Sequence, residues 1–208
     1  MFTFALTWAS EGGGDALTSW SPNLLFTGRA MITGLDHVVL VCPSIDEAEA
    51  RYGAILGREA DWRAHDPAGA SSVIFQMDNA ALELMAPQGG GPAARRLNAL
   101  LDQEGPGIKT IVFACRAISE MRGVLERRAL KPDEIAEGES IDRASARLRR
   151  WRRFRLEESA AAGVRIFLLE RMRDDPLAVA QPAHPGAVAA LDHVVVNTPN
   201  PDRAAALY

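Results

Sequence analysis

Three kinds of side chain in this sequence could do chemistry: an imidazole that follows an aspartate, a glutamate inside an apolar stretch, and a run of arginines. His37 stands in Leu35-Asp36-His37-Val38-Val39. An imidazole titrates near neutrality, so it can exchange a proton or sit hydrogen-bonded inside a core. Glu83 lies in Ala81-Leu82-Glu83-Leu84-Met85. Strand alternation would place it on one face with Ala81 and Met85, and a buried carboxylate needs a metal, an arginine or a proton. The opposite reading, with Leu82 and Leu84 on the core and Glu83 in water, fits the same letters. From Arg147 to Arg155 the chain reads RLRRWRRFR. Guanidinium groups grip carboxylates and phosphates through paired hydrogen bonds, which makes Arg149 and Arg153 candidates for an anionic substrate. A solvated strand face paired with Glu157 and Glu158 is the alternative.

The elements that position these groups show through an internal repeat. GLDHVVLVCPSIDEAEARY, starting at Gly34, returns as ALDHVVVNTPNPDRAAALY, starting at Ala190, so His37 has a counterpart in His193. A fainter copy, GIKTIVFACRAISE, starts at Gly107 and aligns on Gly34 to Glu47 without a gap. There Thr110 replaces the histidine.

Leu35 to Val41 is short and β-branched, which predicts a strand. Ser44 is a plausible N-cap with Glu47 at the capping-box spacing, and Ile45, Ala48, Tyr52 and Ile55 form a helical stripe that stops at Gly57. Strands follow at Glu59 to Arg63, Ser72 to Met77 and Ala81 to Met85, giving a β-α-β-β-β unit. Ala93 to Leu101 reads as a linking helix. The second unit repeats the order with a strand at Ile108 to Cys115, a helix at Ile118 to Leu130, and strands near Leu148 to Leu156 and Val164 to Glu170. Lys131 to Ser145 is polar and irregular.

Consecutive β-α-β-β-β units that begin LDHVVL and carry a glutamate in a late strand resemble the vicinal oxygen chelate superfamily. That superfamily includes glyoxalase I, bleomycin-resistance proteins, extradiol dioxygenases and methylmalonyl-CoA epimerase. The resemblance implies an α+β fold of paired modules forming a half-closed eight-stranded sheet around a pocket. It implies one domain over residues 31–173, with modules at 31–91 and 105–173, a linker at 174–189, and the truncated start of a second domain at 190–208. It also implies a divalent metal, Zn, Fe, Ni or Mn, held by side chains from the first and last strands of each module. Carried onto this sequence, the ligand set is His37, Glu83 and Glu170, with Glu83 and Glu170 as the catalytic carboxylates. Thr110 departs from the pattern, because a neutral hydroxyl is a poor ligand beside imidazole and carboxylate. Glu170 also reads as a solvated salt bridge. Such a site would bind a small oxygenated metabolite for lyase, isomerase or ring-cleavage chemistry. A metal-free binding or resistance-type protein and an inactive fragment of a two-domain parent stay open beside it.

Composition bounds the remaining classes. With 208 residues and 48% hydrophobic content the chain can bury a core, and its formal charge of −4 offers no basic field to nucleic acid. No apolar run approaches the ~20 residues of a membrane span, and the cytoplasm is the default location. Cys42 and Cys115 occupy equivalent repeat positions and read as buried thiols. Gly89-Gly90-Gly91 lacks the context of a phosphate-binding loop. Residues 1–30 show no sustained periodicity and read as a loose extension, with Met31 as the natural start. The strand at Leu191 to Val196 would expose unpaired backbone, an invitation to form a homodimer.

Overall fold

Capping chemistry fixes the first turns of the chain. In the structure, a computed structural model that describes residues 2–8, 31–197 and 201–207, strand β1 (Phe2–Trp8) is followed by β2 (Ile32–Val41) and helix α1 (Ile45–Leu56). The Ser44 hydroxyl accepts the Glu47 amide at 3.4 Å, and Gly57 closes α1 in the left-handed region at φ 64°. Strands β3 (Trp62–Asp66), β4 (Ala70–Gln76) and β5 (Ala81–Pro87) complete the first module. Helix α2 (Pro92–Glu104) crosses to β6 (Gly107–Cys115), α3 (Ile118–Arg127), β7 (Ala136–Ile141), β8 (Leu148–Arg155) and β9 (Ile166–Arg171). The third copy of the repeat supplies β10 (Val188–Val196) and α4 (Pro201–Leu207). Among the described residues, no helix is long and apolar enough to cross a membrane.

The main sheet has eight strands in the order β3-β4-β5-β2-β6-β9-β8-β7. Its centre is the antiparallel pair β2–β6, and each of these strands has a parallel neighbour from its own module, β5 and β9. The two outer edges curl until they touch. The Trp62 indole donates to Ser140 Oγ at 2.9 Å, the Arg63 amide to Asp142 Oδ1 at 3.0 Å, and the Arg143 amide to the Arg63 carbonyl at 2.8 Å. The expected half-closed sheet is therefore bridged at one rim. Strand β7 was not legible in the sequence because it is an edge strand with no buried apolar row. Its Gly138 faces Trp151, whose ring a Cβ there would meet within 3 Å.

Each module packs its helix on the convex side of the sheet. Ala48 and Leu56 of α1 meet Val38, Leu40, Phe75, Leu82 and Leu84, while Ile118, Met121 and Leu125 of α3 meet Ile111, Phe154, Ile166 and Leu168. Truncating one of these, such as Leu82, to alanine costs about 2–5 kcal/mol. Leu82 and Leu84 thus face the helices, which turns Glu83 to the concave side.

Two stretches depart from the sequence expectations. The expected linker at 174–189 begins not as a free linker but as an inward turn, with Asp175 and Leu177 buried and Leu177 packed on Trp62, Ala64, Ile74 and Ala81. Residues 9–30 of the expected loose extension lie outside the described residues, but Phe2–Trp8 form a strand paired antiparallel with β10. Phe2, Phe4, Leu6 and Trp8 alternate with Thr3, Ala5 and Thr7, a period-two signal within that extension. Strand β10 consequently finds a partner within its own chain. The pairing copies the central one: His193 lies opposite Ala5 and Leu191 opposite Leu6, skipping Asp192, just as His37 lies opposite Val112 and Leu35 opposite Phe113, skipping Asp36.

This two-stranded ribbon rests on the convex core through Val188 and Leu191 and is read by the Asp78-Asn79 turn. Asn79 Nδ2 donates to the Leu191 carbonyl at 2.7 Å, and its Oδ1 accepts the Leu191 amide at 3.0 Å. Replacing Asn79 with alanine should lower stability by about 1–2 kcal/mol in urea unfolding and speed amide exchange at Leu191. Unchanged exchange there would mean that apolar contacts alone hold the ribbon.

Candidate functional site

In a regular strand, neighbouring side chains point to opposite faces, so an Asp-His pair would be separated by the sheet. The bulge at Asp36 removes that separation. His37 Nδ1 donates to Asp36 Oδ1 at 2.7 Å, and on its other side Nε2 lies 3.2 Å from Glu83 Oε2. Asp36 is held in turn by Arg171, whose Nε and Nη2 donate to its two oxygens at 2.7 and 2.9 Å. Arg171 also donates to the Leu177 carbonyl at 2.7 Å, which ties the inward turn to the same network. Next to it, Arg149 Nε donates to Asp175 Oδ1 at 3.2 Å while its guanidinium lies over the rings of Trp62 and Trp151, 5.5 Å from each.

The charges in this network support one another. Burial is the largest single influence on His37 and opposes its charge, but hydrogen bonds and Coulomb attraction to Asp36 and Glu83 together raise its pKa above the ordinary value. Burial likewise opposes the Asp36 charge and is outweighed by His37 and Arg171, which hold that carboxyl far below the usual range. Glu83 is also lowered: His37 overcomes its desolvation, with help from Arg149 and Arg153.

The structure brings together some of the residues singled out in the sequence and separates others. His37 and Glu83 meet. Glu170 does not join them, because its neighbour Leu169 packs on Val39 and Val112 and Glu170 turns the other way. There it accepts the Ala117 amide at 2.9 Å at the start of α3 and pairs with Arg152 at 3.3 Å. Thr110 sits opposite Val39 on the concave face. Arg149 is buried and engaged by Asp175, whereas Arg153 is exposed, with its guanidinium 5.3 Å over Phe167. Of the residues that sequence reasoning passed over, Asp36 had a signal, its recurrence as Asp192 before His193. Arg171 and Asp175 had none, since their roles depend on the inward turn. Two clefts of about 320 and 430 Å³ lie beside α1 and include neither His37 nor Glu83.

A divalent cation does not fit the donors present. His37 Nε2 and Glu83 Oε2 are two facing ligands, but Asp36 is committed to Nδ1 and Arg171. Among the described residues, no group of three or more His, Cys, Asp or Glu side chains could hold a metal ion. Arg149 and Arg153 add positive charge beside Glu83, where a dication would need the reverse.

Paired β-α-β-β-β modules around one concave face define a protein of the vicinal oxygen chelate class. A model of the glyoxalase-like domain matches residues 35–208, and the chain belongs to that family. Solved structures agree on the fold. Methylmalonyl-CoA epimerase from Mycobacterium tuberculosis superposes with a TM-score of 0.57 at 22% identity, covering 71% of this chain and 94% of that one. The Streptomyces coelicolor methylmalonyl-CoA epimerase Q60A variant, in complex with 2-nitronate-propionyl-CoA, gives 0.55 at 18% identity over 67% of this chain and 97% of that one. A hypothetical protein from Bacillus halodurans gives 0.56 at 19% identity, with 67% and 95% covered. No curated protein matches the sequence.

The pKa directions fix how stability should follow pH. The raised His37 pKa contributes stability that is full below about pH 6.5 and lost as pH rises through its folded value. The lowered Asp36 and Glu83 contribute stability present above about pH 4 and lost as pH falls through their folded values. The thermal midpoint should therefore decline on the alkaline side of pH 6.5 in the wild type. In His37→Gln, thermal scans across pH should show that decline diminished; an unaltered slope would assign it to other groups.

Proposed function

We propose that this domain binds a small oxygenated anion on the concave face of its sheet, with Arg153 as the anchoring cation. The observation that carries this reading is the pairing of arginines along β8. Arg149 pairs with Asp175, Arg150 with Glu139, Arg152 with Glu170 and Arg155 with Asp133. Among the described residues, no carboxylate forms an ion pair with Arg153, which is on the concave face opposite Leu169 and stacked over Phe167. An exposed guanidinium held by an aromatic ring is ready for a carboxylate, phosphate or enolate oxygen.

Trp151 supports the same reading. Its Nε1 is buried without a protein acceptor, which costs about 1–3 kcal/mol unless another oxygen meets it. The ligand in the similar Streptomyces coelicolor structure, 2-nitronate-propionyl-CoA, carries a charged oxygenated group of the kind proposed here. Val39, Met85, Val112 and Phe167 supply an apolar floor for the rest of a small ligand.

A second reading, proton transfer at a carbon beside a carbonyl, is favoured by the contact between Glu83 and His37. Glu83 would take the proton and His37 would steady the carboxylate, while Arg153 stabilised the enolate oxygen. The lowered pKa of Glu83 makes it a weak base, so binding ranks ahead of turnover.

The test is ligand-induced thermal shift against a panel of small carboxylates and their methyl esters, followed by calorimetry on the hits. Arg153→Ala should weaken carboxylates by about tenfold to a hundredfold and spare the esters. Equal losses for both would overturn the anchoring role. For a ligand that binds, Glu83→Gln should keep affinity but stop incorporation of solvent deuterium if the second reading holds.

A further inference from the structure

We infer that the second module lacks its half of a metal-binding face, and that Thr110 and Phe167 are the two ligand positions where the donors are missing. This stands independently of the anion reading, because it concerns which donors the scaffold presents.

The register of the central strands aligns the two modules position by position. Strands β2 and β6 pair antiparallel at the centre of the sheet, and each carries a bulge one residue before its key position. In β2 the bulge falls on Asp36, between the pairs Leu35–Phe113 and His37–Val112. In β6 it falls on Lys109, between the pairs Leu40–Ile108 and Val39–Thr110. Lys109 therefore stands where Asp36 stands, and Thr110 where His37 stands. The parallel neighbours complete the correspondence. Val39 lies beside Glu83 in β5, and its counterpart Val112 lies beside Phe167 in β9. Glu83 thus corresponds to Phe167, not to Glu170, which the sequence order had suggested.

All three functional positions differ in character between the two modules. In place of the imidazole stands a hydroxyl with little affinity for a borderline metal, and in place of the carboxylate a phenyl ring. In place of the aspartate that orients the imidazole stands a buried lysine, Lys109, held by the Glu104 carbonyl at 3.2 Å and its carboxylate at 3.5 Å. An acceptor on the far nitrogen of a ligating histidine strengthens metal binding by about 10–100-fold, and the lysine supplies a cation instead, so a histidine at 110 would bind without that help. The charge a metal would bring is replaced as well. Glu83 faces His37, Arg149 and Arg153, and Arg153 sits over the Phe167 ring where the second carboxylate would stand.

The experiment is calorimetric titration of Ni²⁺ and Zn²⁺ into the wild type, Thr110→His and Thr110→His/Phe167→Glu, with elemental analysis after dialysis and circular dichroism to check each fold. The wild type should show no stoichiometric site that depends on Glu83. Thr110→His keeps the Phe167 packing and adds a third donor, so it should gain a one-to-one site. The double variant, with a fourth donor, should bind more tightly than Thr110→His. Loss of the gained site on adding His37→Ala would place it on the concave face. One equivalent of metal on the wild type that disappears in Glu83→Gln would overturn the inference. So would folded Thr110→His that binds no better than the wild type.

Discussion

Buried charge is the constraint on which the concave face depends. Asp36, His37, Glu83, Arg149, Arg171 and Asp175 are drawn from four separate stretches of chain, and each is stable out of water only because an opposite charge meets it. Such a network adds little net stability compared with a hydrophobic one, but removing a single partner leaves an uncompensated charge and is costly. It therefore specifies more than it stabilises. The bulge at Asp36, the inward turn at Asp175 and the register of β9 must all be correct at once for the charges to meet.

The first module was legible in the sequence because local chemistry and tertiary structure agree there. The Ser44 cap, the Gly57 stop and the alternation through Leu82, Glu83 and Leu84 each describe a feature that the chain builds within a few residues. The candidate site was legible only in part. His37 and Glu83 came from the repeat and the strand pattern. Their true companions, Arg171 and Asp175, gain their roles from a turn that follows β9, and no periodicity announces such a turn. The misplacement of Glu170 has a related cause: aligning the late strands by their glutamates ignores how each strand registers against its own first strand, and a shift of one residue changes the face. Strand β7 escaped because an edge strand facing arginines needs no apolar row.

The two modules have taken different chemical paths on one backbone plan. The first keeps an acid-imidazole-acid array, while the second presents an aromatic ring, a hydroxyl and a stacked guanidinium. A face built this way is polarised across the β2–β6 seam, with the carboxylates mainly on one side and arginines of β8 on the other. That polarity gives an anionic ligand a single preferred orientation.

The ribbon of β1 and β10 shows what the central strand pair demands of its members. Strand β1 precedes β2 in the chain, whereas β6 follows it, yet β1 lies against β10 with the bulge skipping the aspartate in the same way that β6 lies against β2. FTFALTW and GIKTIVFAC have little in common beyond an extended shape. The slot beside an LDHVV strand is thus defined by main-chain hydrogen bonds and by one extra residue at the aspartate, and it is indifferent to the order in which its occupants are synthesised. A fold whose central seam is specified in this way can be duplicated, permuted or completed from either direction without redesigning the strand that acts as its template.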